Sequence, residues 1–364
     1  MIINNDFAGE ASGKLLSSKG LLILGGQSTE GRLASIETLG FKKCKIPPLP
    51  ETRYNFAAFI TPTKPPQLAV CGGWWNGWWK GKPVSSDCLT LDVANAQWVR
   101  GKFTNGIPVD GVDGVRGVID VKKEGIYVIH SRGISFLKKK SQKWIKAAHY
   151  RKEAVCGCIL SDKSFVTIHL SDQNNVREYS VRAGGKLEKE PQETWPDLVR
   201  KRQGPGCGAT SQHLVVAGGM SGWEVLTSVE VFNIAAKSLG RGGSLQQARA
   251  FFQLIRVGST HPYLLALGGE GPSLSIDTSE SWDEEENSWN MGPTLSTGRS
   301  YFGAIMAPHD LACSDIEPPP HSCPAADDSG QTCTFSSVES GKSMTKTTNL
   351  NIFIIFIRRR WFCL

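Results

Sequence analysis

Four times in this chain a short apolar run ends in two consecutive glycines: Leu21 to Gly25-Gly26, Leu68 to Gly72-Gly73, Leu214 to Gly218-Gly219 and Leu264 to Gly268-Gly269. The second glycines stand at 26, 73, 219 and 269, so the first spacing is 47 residues and the last is 50. The middle gap of 146 is close to three periods of 49, which places two further units between residues 74 and 218. A period of this size marks a supersecondary unit that cannot bury its faces alone and stacks on copies of itself.

A second marker carries the same period. Trp98 lies six residues after Asp92, Trp289 six after Asp283 and Leu239 six after Asn233. Trp144 and Trp195 fall in the two hidden units, and Cys44 takes the place in the first. Between 44 and 289 the six markers advance by an average of 49 residues, so there are six units. Each unit has room for four short strands, enough for one twisted sheet. A lone sheet of this kind leaves a face wet, whereas a closed ring of sheets covers both faces and leaves only short, protected edges. Glycine suits the crowded strand ends, because it has no Cβ and tolerates positive φ. Tryptophan has the bulk to fill the wedge between neighbouring sheets.

An apolar strand ending in a double glycine, a loop, a second strand and a tryptophan about six residues beyond it resembles the kelch repeat. The resemblance covers residues 15–308 and is clearest in units two, five and six. Units three and four depart from it, with Ile129-His130 and His169-Leu170 at the double-glycine places and a last segment in unit four that stretches to Trp195. The resemblance implies an all-β, six-bladed β-propeller of four-stranded blades.

Closure of the ring is legible too. Arg53, Arg249 and Arg299 follow the markers Cys44, Leu239 and Trp289 by nine or ten residues, and an apolar strand follows each arginine. The run from Arg299 to Met306 is one strand too many at the end, while unit one begins at its second strand near Leu21. The C-terminal strand is therefore expected to complete blade one and close the ring. The chain divides into a flexible lead (1–14), the propeller (15–308) and a tail (309–364) whose Pro318-Pro-Pro320 and many serines and threonines predict disorder.

Composition narrows function mainly by exclusion. The net charge of +7 is spread over short basic clusters such as Lys138 to Lys140, without a stripe or the aromatic spacing of an RNA-binding sheet, so no nucleic-acid partner is expected. The apolar run from Asn351 to Ile357 is too short to span a membrane, and Met1 to Asp6 does not open a secretory signal. The chain as given therefore reads as a soluble, cytoplasmic monomer, or as extracellular if a signal segment precedes it. Ser340-Gly-Lys-Ser343 lacks the first glycine of a phosphate loop, and the seven histidines show no i, i+4 pair, so neither a nucleotide nor a metal cofactor is expected. Cys156, Cys158 and Cys207 read as core thiols rather than ligands. Cys71 and Cys88 fall on adjacent strands of unit two and form a candidate disulfide, for which Cys44 competes.

Two roles found among kelch-like proteins serve as alternatives. A copper radical oxidase of the galactose-oxidase type needs two tyrosines and two histidines on one face, which nothing in the sequence brings together. A substrate receptor of a ubiquitin ligase carries a long helical adaptor before its propeller, and only about twenty residues precede unit one here. The favoured reading is a non-catalytic scaffold that binds a protein partner. Its candidate contact is the loop after the double glycine of unit two, holding Trp74, Trp75, Trp78, Trp79 and Lys80, with Trp223 in the equivalent loop of unit five. Tryptophan is enriched at binding hot spots. Lys80 and Lys82 favour an acidic or aromatic-rich partner.

Overall fold

The computed structural model describes residues 19–41, 46–75, 86–100, 107, 114–121, 124–131, 133–139, 141, 143–149, 153–170, 174–189, 195–258, 262–308, 311, 333–339 and 342–348. Six antiparallel sheets follow one another along residues 19–308. Five are four-stranded and run in chain order from an inner strand to an outer one. Their inner strands are Ala57–Ile60, Val115–Val121, Ala154–Ser161, Gly206–Ala209 and Gln253–Val257, in blades two to six. The sixth inner strand, Gly303–Pro308, pairs with Lys19–Leu24 in a register that sets Leu24 opposite Gly303 and Lys19 opposite Pro308. Blade one is thus built from both ends of the propeller, as the surplus C-terminal strand predicts. Its third strand is Ile36–Leu39, and its outermost place, near Cys44, falls at 42–45, outside the described residues. Each inner strand touches the next, and Gly303–Pro308 touches Ala57–Ile60, so the ring is closed.

The core is divided among the wedges between blades. Six separate apolar clusters fill them, one per wedge. Trp98 packs between blades one and two and donates its indole N–H to the Pro47 carbonyl at 3.0 Å. Trp144 meets Phe59 edge-on between two and three, and Trp289 lies between five and six. Alternate residues of the second strands, such as Leu264 and Ala266 against Leu265 and Leu267, face opposite wedges, as a pleated strand buried on both faces requires. One marker is reassigned. The outer strand of blade four is Lys186–Lys189, with Leu187 packed towards blade three, and Trp195 follows it into the wedge between four and five. The marker position of blade four therefore carries leucine, and Trp195 belongs to the segment that leads into blade five.

That segment exposes a stronger regularity. Leu49, Leu198, Leu245 and Leu295 are buried, and four residues after each comes a buried arginine: Arg53, Arg202, Arg249 and Arg299. Every one of these guanidinium groups donates to the carbonyl of the first glycine in its own blade's pair, Gly72, Gly218, Gly268 and Gly25 respectively, at 2.7 to 2.9 Å. A carboxylate from the third strand completes three of the sites: Glu230 with Arg202, Glu280 with Arg249, and Glu37 with Arg299. In blade two Leu89 holds that strand position, and Glu51 and Asp87 pair with Arg53 instead. The backbone of each arginine points the other way. The carbonyls of Arg53, Arg249 and Arg299 accept the N–H of Gly26, Gly219 and Gly269, each the second glycine of the preceding blade. Blade four lacks a double glycine, and there the buried Asn174 side chain donates to the Arg202 carbonyl at 2.7 Å.

Residues 318–364 form a separate unit, whose described part is a hairpin of Cys333–Glu339 against Lys342–Thr348. No helix among the described residues is long and apolar enough to cross a membrane.

Two outcomes test this architecture. A chain ending at Pro308 is expected to keep a cooperative melt. One ending at Gly298 loses both Arg299 and the inner strand of blade one, and should lose that transition; equal melting of the two would contradict closure. Within the clasps, Glu280→Ala leaves the Arg249 charge buried and unpaired, since both side chains are fully buried. The expected cost is about 3–5 kcal/mol by chemical denaturation, and less for the double change Arg249→Met with Glu280→Leu.

Candidate partner-binding face

One face of the ring is organised by the arginine clasps. In four blades the residue after the double glycine pairs with the residue after the buried arginine: Gln27 with Ser300, Trp74 with Tyr54, Met220 with Gln203 and Glu270 with Ala250. The loops between second and third strands are thereby fixed beside the inter-blade leads. Trp74 does not hang free in its loop: it is half-buried and stacks on Tyr54, with ring centroids 6.3 Å apart. The backbone of Trp75 pairs with Arg53. Trp78, Trp79 and Lys80, predicted to share this loop, lie outside the described residues. Trp223 stands at the turn between Met220–Ser221 and Glu224–Val225 and is 98% exposed.

Two residues beyond each buried arginine the chain reaches the rim of the central channel. The residues there are Asn55, Gly204, Phe251 and Tyr301, with φ of 57°, 57°, 52° and 54°. Their backbones bond head to tail, from the Phe251 N–H to the Gly204 carbonyl, Tyr301 to Phe251, and Asn55 to Tyr301, at 2.8 to 3.0 Å. The left-handed conformation suits glycine and asparagine, but costs a bulky residue about 1–2 kcal/mol. Gly204 is needed for a second reason: a Cβ there would sit 2.3 Å from the Phe251 ring.

The side chains at the rim form a continuous stack. Phe251 and Tyr301 lie 4.4 Å apart and nearly parallel; Tyr54 meets Tyr301 edge-on at 6.2 Å and carries Trp74 on its other side. The Arg32 guanidinium lies over the Tyr54 ring at 5.2 Å. Burial, reinforced by the nearby Glu270 and opposed by Arg116, holds the Tyr301 phenol well above its ordinary pKa, so it is a neutral hydrogen-bonding group. Below the rim the inner strands enclose a cavity of about 270 Å³. Its only charged lining residues among those described are Arg116 and Arg256.

Cys71 and Cys88 are directly opposed in register, with Cα atoms 4.1 Å apart and a bridge between them. Cys44 lies outside the described residues. Sequence reasoning assigned Cys156 and Cys207 as unpaired core thiols; the structure joins them across two blades, with Cα atoms 5.9 Å apart. Cys158 remains a buried thiol, its pKa pushed up to about 12 by desolvation. No group of three or more His, Cys, Asp or Glu suited to hold a metal occurs among the described residues. The rim residues Tyr54, Phe251 and Tyr301 escaped sequence reasoning. Their only signal was position, one or two residues after a repeated arginine.

No protein-family model and no curated protein matches the chain.

The two kinds of tryptophan separate in a mutational test. Trp223→Ala is expected to change stability by no more than about 0.5 kcal/mol. Trp289→Ala, which empties a wedge, is expected to cost about 3–5 kcal/mol in the same denaturant titration.

Proposed function

We propose that this chain is a non-catalytic protein-interaction platform built on a kelch-type propeller, and that its partner docks on the loop face around the channel rim. The observation that carries this reading is the pair Phe251 and Tyr301. Both are half-buried aromatics held in the left-handed region, at positions equivalent to those of Asn55 and Gly204. Glycine or asparagine would hold the same backbone at lower cost, and strain of this kind clusters at functional sites. The kelch-type assignment rests on the double glycines, the 49-residue period and the inter-blade tryptophans.

The partner's chemistry follows from the surroundings. The Arg32 guanidinium lies over the Tyr54 ring, and Lys80 and Lys82 continue the loop that begins at Trp74. A partner segment that is acidic, or that offers an aromatic of its own, complements this set. The expected working form is a monomer.

The test couples stability to capture. Tyr301→Gly and Phe251→Gly relieve backbone strain while losing stacking worth about 0.5–1.5 kcal/mol, so Tm should stay within a few degrees. A partner identified on immobilised wild-type chain should bind each variant at least tenfold more weakly, a loss of about 1.4 kcal/mol or more. Wild-type affinity in both variants would refute the rim as the docking site. A large fall in Tm with unchanged capture would make the aromatics part of the core.

A further inference from the structure

The bridge between Cys156 and Cys207 differs in kind from that between Cys71 and Cys88. Cys71 and Cys88 lie on neighbouring, hydrogen-bonded strands of one sheet, so their bond links residues the sheet already holds together. Cys156 belongs to the inner strand of blade four and Cys207 to that of blade five, which are strands of different sheets. Their bond joins blades, across 51 residues of chain, and the Cα separation of 5.9 Å lies at the commonest value for a disulfide. Both residues line the central cavity, as does Cys158, and each side chain is almost fully buried.

The position matters for the ring. Blades one, two, five and six carry double glycines, and blade four does not. At the wedge between four and five the glycine N–H that elsewhere meets the arginine carbonyl is replaced by a single asparagine side chain. The strands facing each other there are poor in bulk, with Gly157, Gly206 and Gly208 beside the cysteines.

We propose that Cys156 and Cys207 form a thiol–disulfide site on the channel wall, which takes low-molecular-weight disulfides and thiols as co-reactants and sets how firmly blades four and five are held together. Oxidation proceeds through a mixed disulfide. One cysteine thiolate attacks the small disulfide and releases one small thiol. The second cysteine then attacks the protein-bound sulfur, forming the Cys156–Cys207 bond and releasing the second small thiol. The protein loses two electrons, the small disulfide gains them, and the two thiol protons leave on the released thiols. Cys158, two residues along the same strand, is a buried thiol held protonated by desolvation and stands outside the bridge.

The experiment uses the full chain equilibrated in cystamine and cysteamine at graded ratios, then quenched, alkylated and mapped by mass spectrometry. The expected result is a Cys156–Cys207 linked peptide that appears and disappears with the ratio, with Cys158 alkylated only after denaturation. In parallel, the fall in Tm between oxidised and reduced protein, on the order of 5 °C, should survive in Cys88→Ser, which keeps only the inter-blade bridge, and shrink in Cys207→Ser, which keeps only the bridge within blade two. Persistent free thiols at Cys156 and Cys207 under oxidising ratios would overturn the proposal, as would a link through Cys158. So would an undiminished Tm response in Cys207→Ser. The peptide map is made on the wild-type chain, so the test stands even where a variant fails to fold.

Discussion

Four arginines hold the ring by opposite ends of the same residue. Through its carbonyl, Arg249 accepts the Gly219 N–H of blade five; through its guanidinium, it grips the Gly268 carbonyl and the Glu280 carboxylate of blade six. A sheet edge and a neighbouring sheet are thereby fixed at one point, and the chain leaves that point in the left-handed turn that forms the channel rim. Burying Arg249 beside Glu280 is expensive, and desolvation lowers the arginine pKa even against the pull of the glutamate. The planar fork makes the site workable, since one guanidinium reaches a carbonyl and a carboxylate in fixed directions, which the single ammonium of lysine does not reproduce. The glutamate is also shared: Glu280 accepts the N–H groups of Gln246 and Gln247, and Glu230 those of Val199 and Arg200, which orders the lead into each blade.

The segments that lead into blades three and four, 108–113 and 150–152, lie outside the described residues. The wedge between these two blades holds an aromatic column. Phe136 stacks on Tyr127 at 4.4 Å, Tyr127 meets Phe165 at 5.5 Å, and Phe165 stacks on Tyr179 at 5.4 Å. The Tyr127 hydroxyl donates to the Gly185 carbonyl, so the one polar group of the column's central ring is satisfied. These are also the blades in which the double glycine is missing.

This division explains what the sequence made legible. The period, the count of six and the closing strand were readable because glycine and tryptophan meet steric demands that few residues share, at Gly26, Gly73, Trp98 or Trp289. Trp195 misleads for the same reason: a tryptophan stands near the expected place, while the marker position itself is filled by Leu187. That displacement hid Arg202, whose partner Leu198 carries the same four-residue offset as Leu49, Leu245 and Leu295. The rim was not legible at all. The sign of φ at Phe251 and Tyr301 is imposed by the clasp and the rim hydrogen bonds, against the preference of those residues, and no local pattern announces it. The pairing of Cys71 with Cys88 was accessible from strand order. That of Cys156 with Cys207 was not, because it depends on how two blades meet rather than on any one sheet.

The rim also bears on how the proposed partner would be recognised. Its backbone groups are spent on one another, since the N–H of Phe251, Tyr301 and Asn55 each bonds the preceding rim carbonyl, and the Asn55 carbonyl accepts from Val115. The loop residues beside it are paired as well, Trp74 with Tyr54 and Glu270 with Ala250. At these described rim residues an incoming strand would find no free edge to extend, so a partner docking there as proposed would be recognised through side chains. What remains is side-chain surface: the Phe251–Tyr301–Tyr54–Trp74 stack, the neutral Tyr301 hydroxyl and the Arg32 guanidinium over Tyr54. A surface of rigid aromatics with few rotamers loses little entropy on binding. In the proposed docking, a fixed backbone beneath it would make affinity depend on which side chains stand on the rim, so that a single substitution there would change specificity without reshaping the ring.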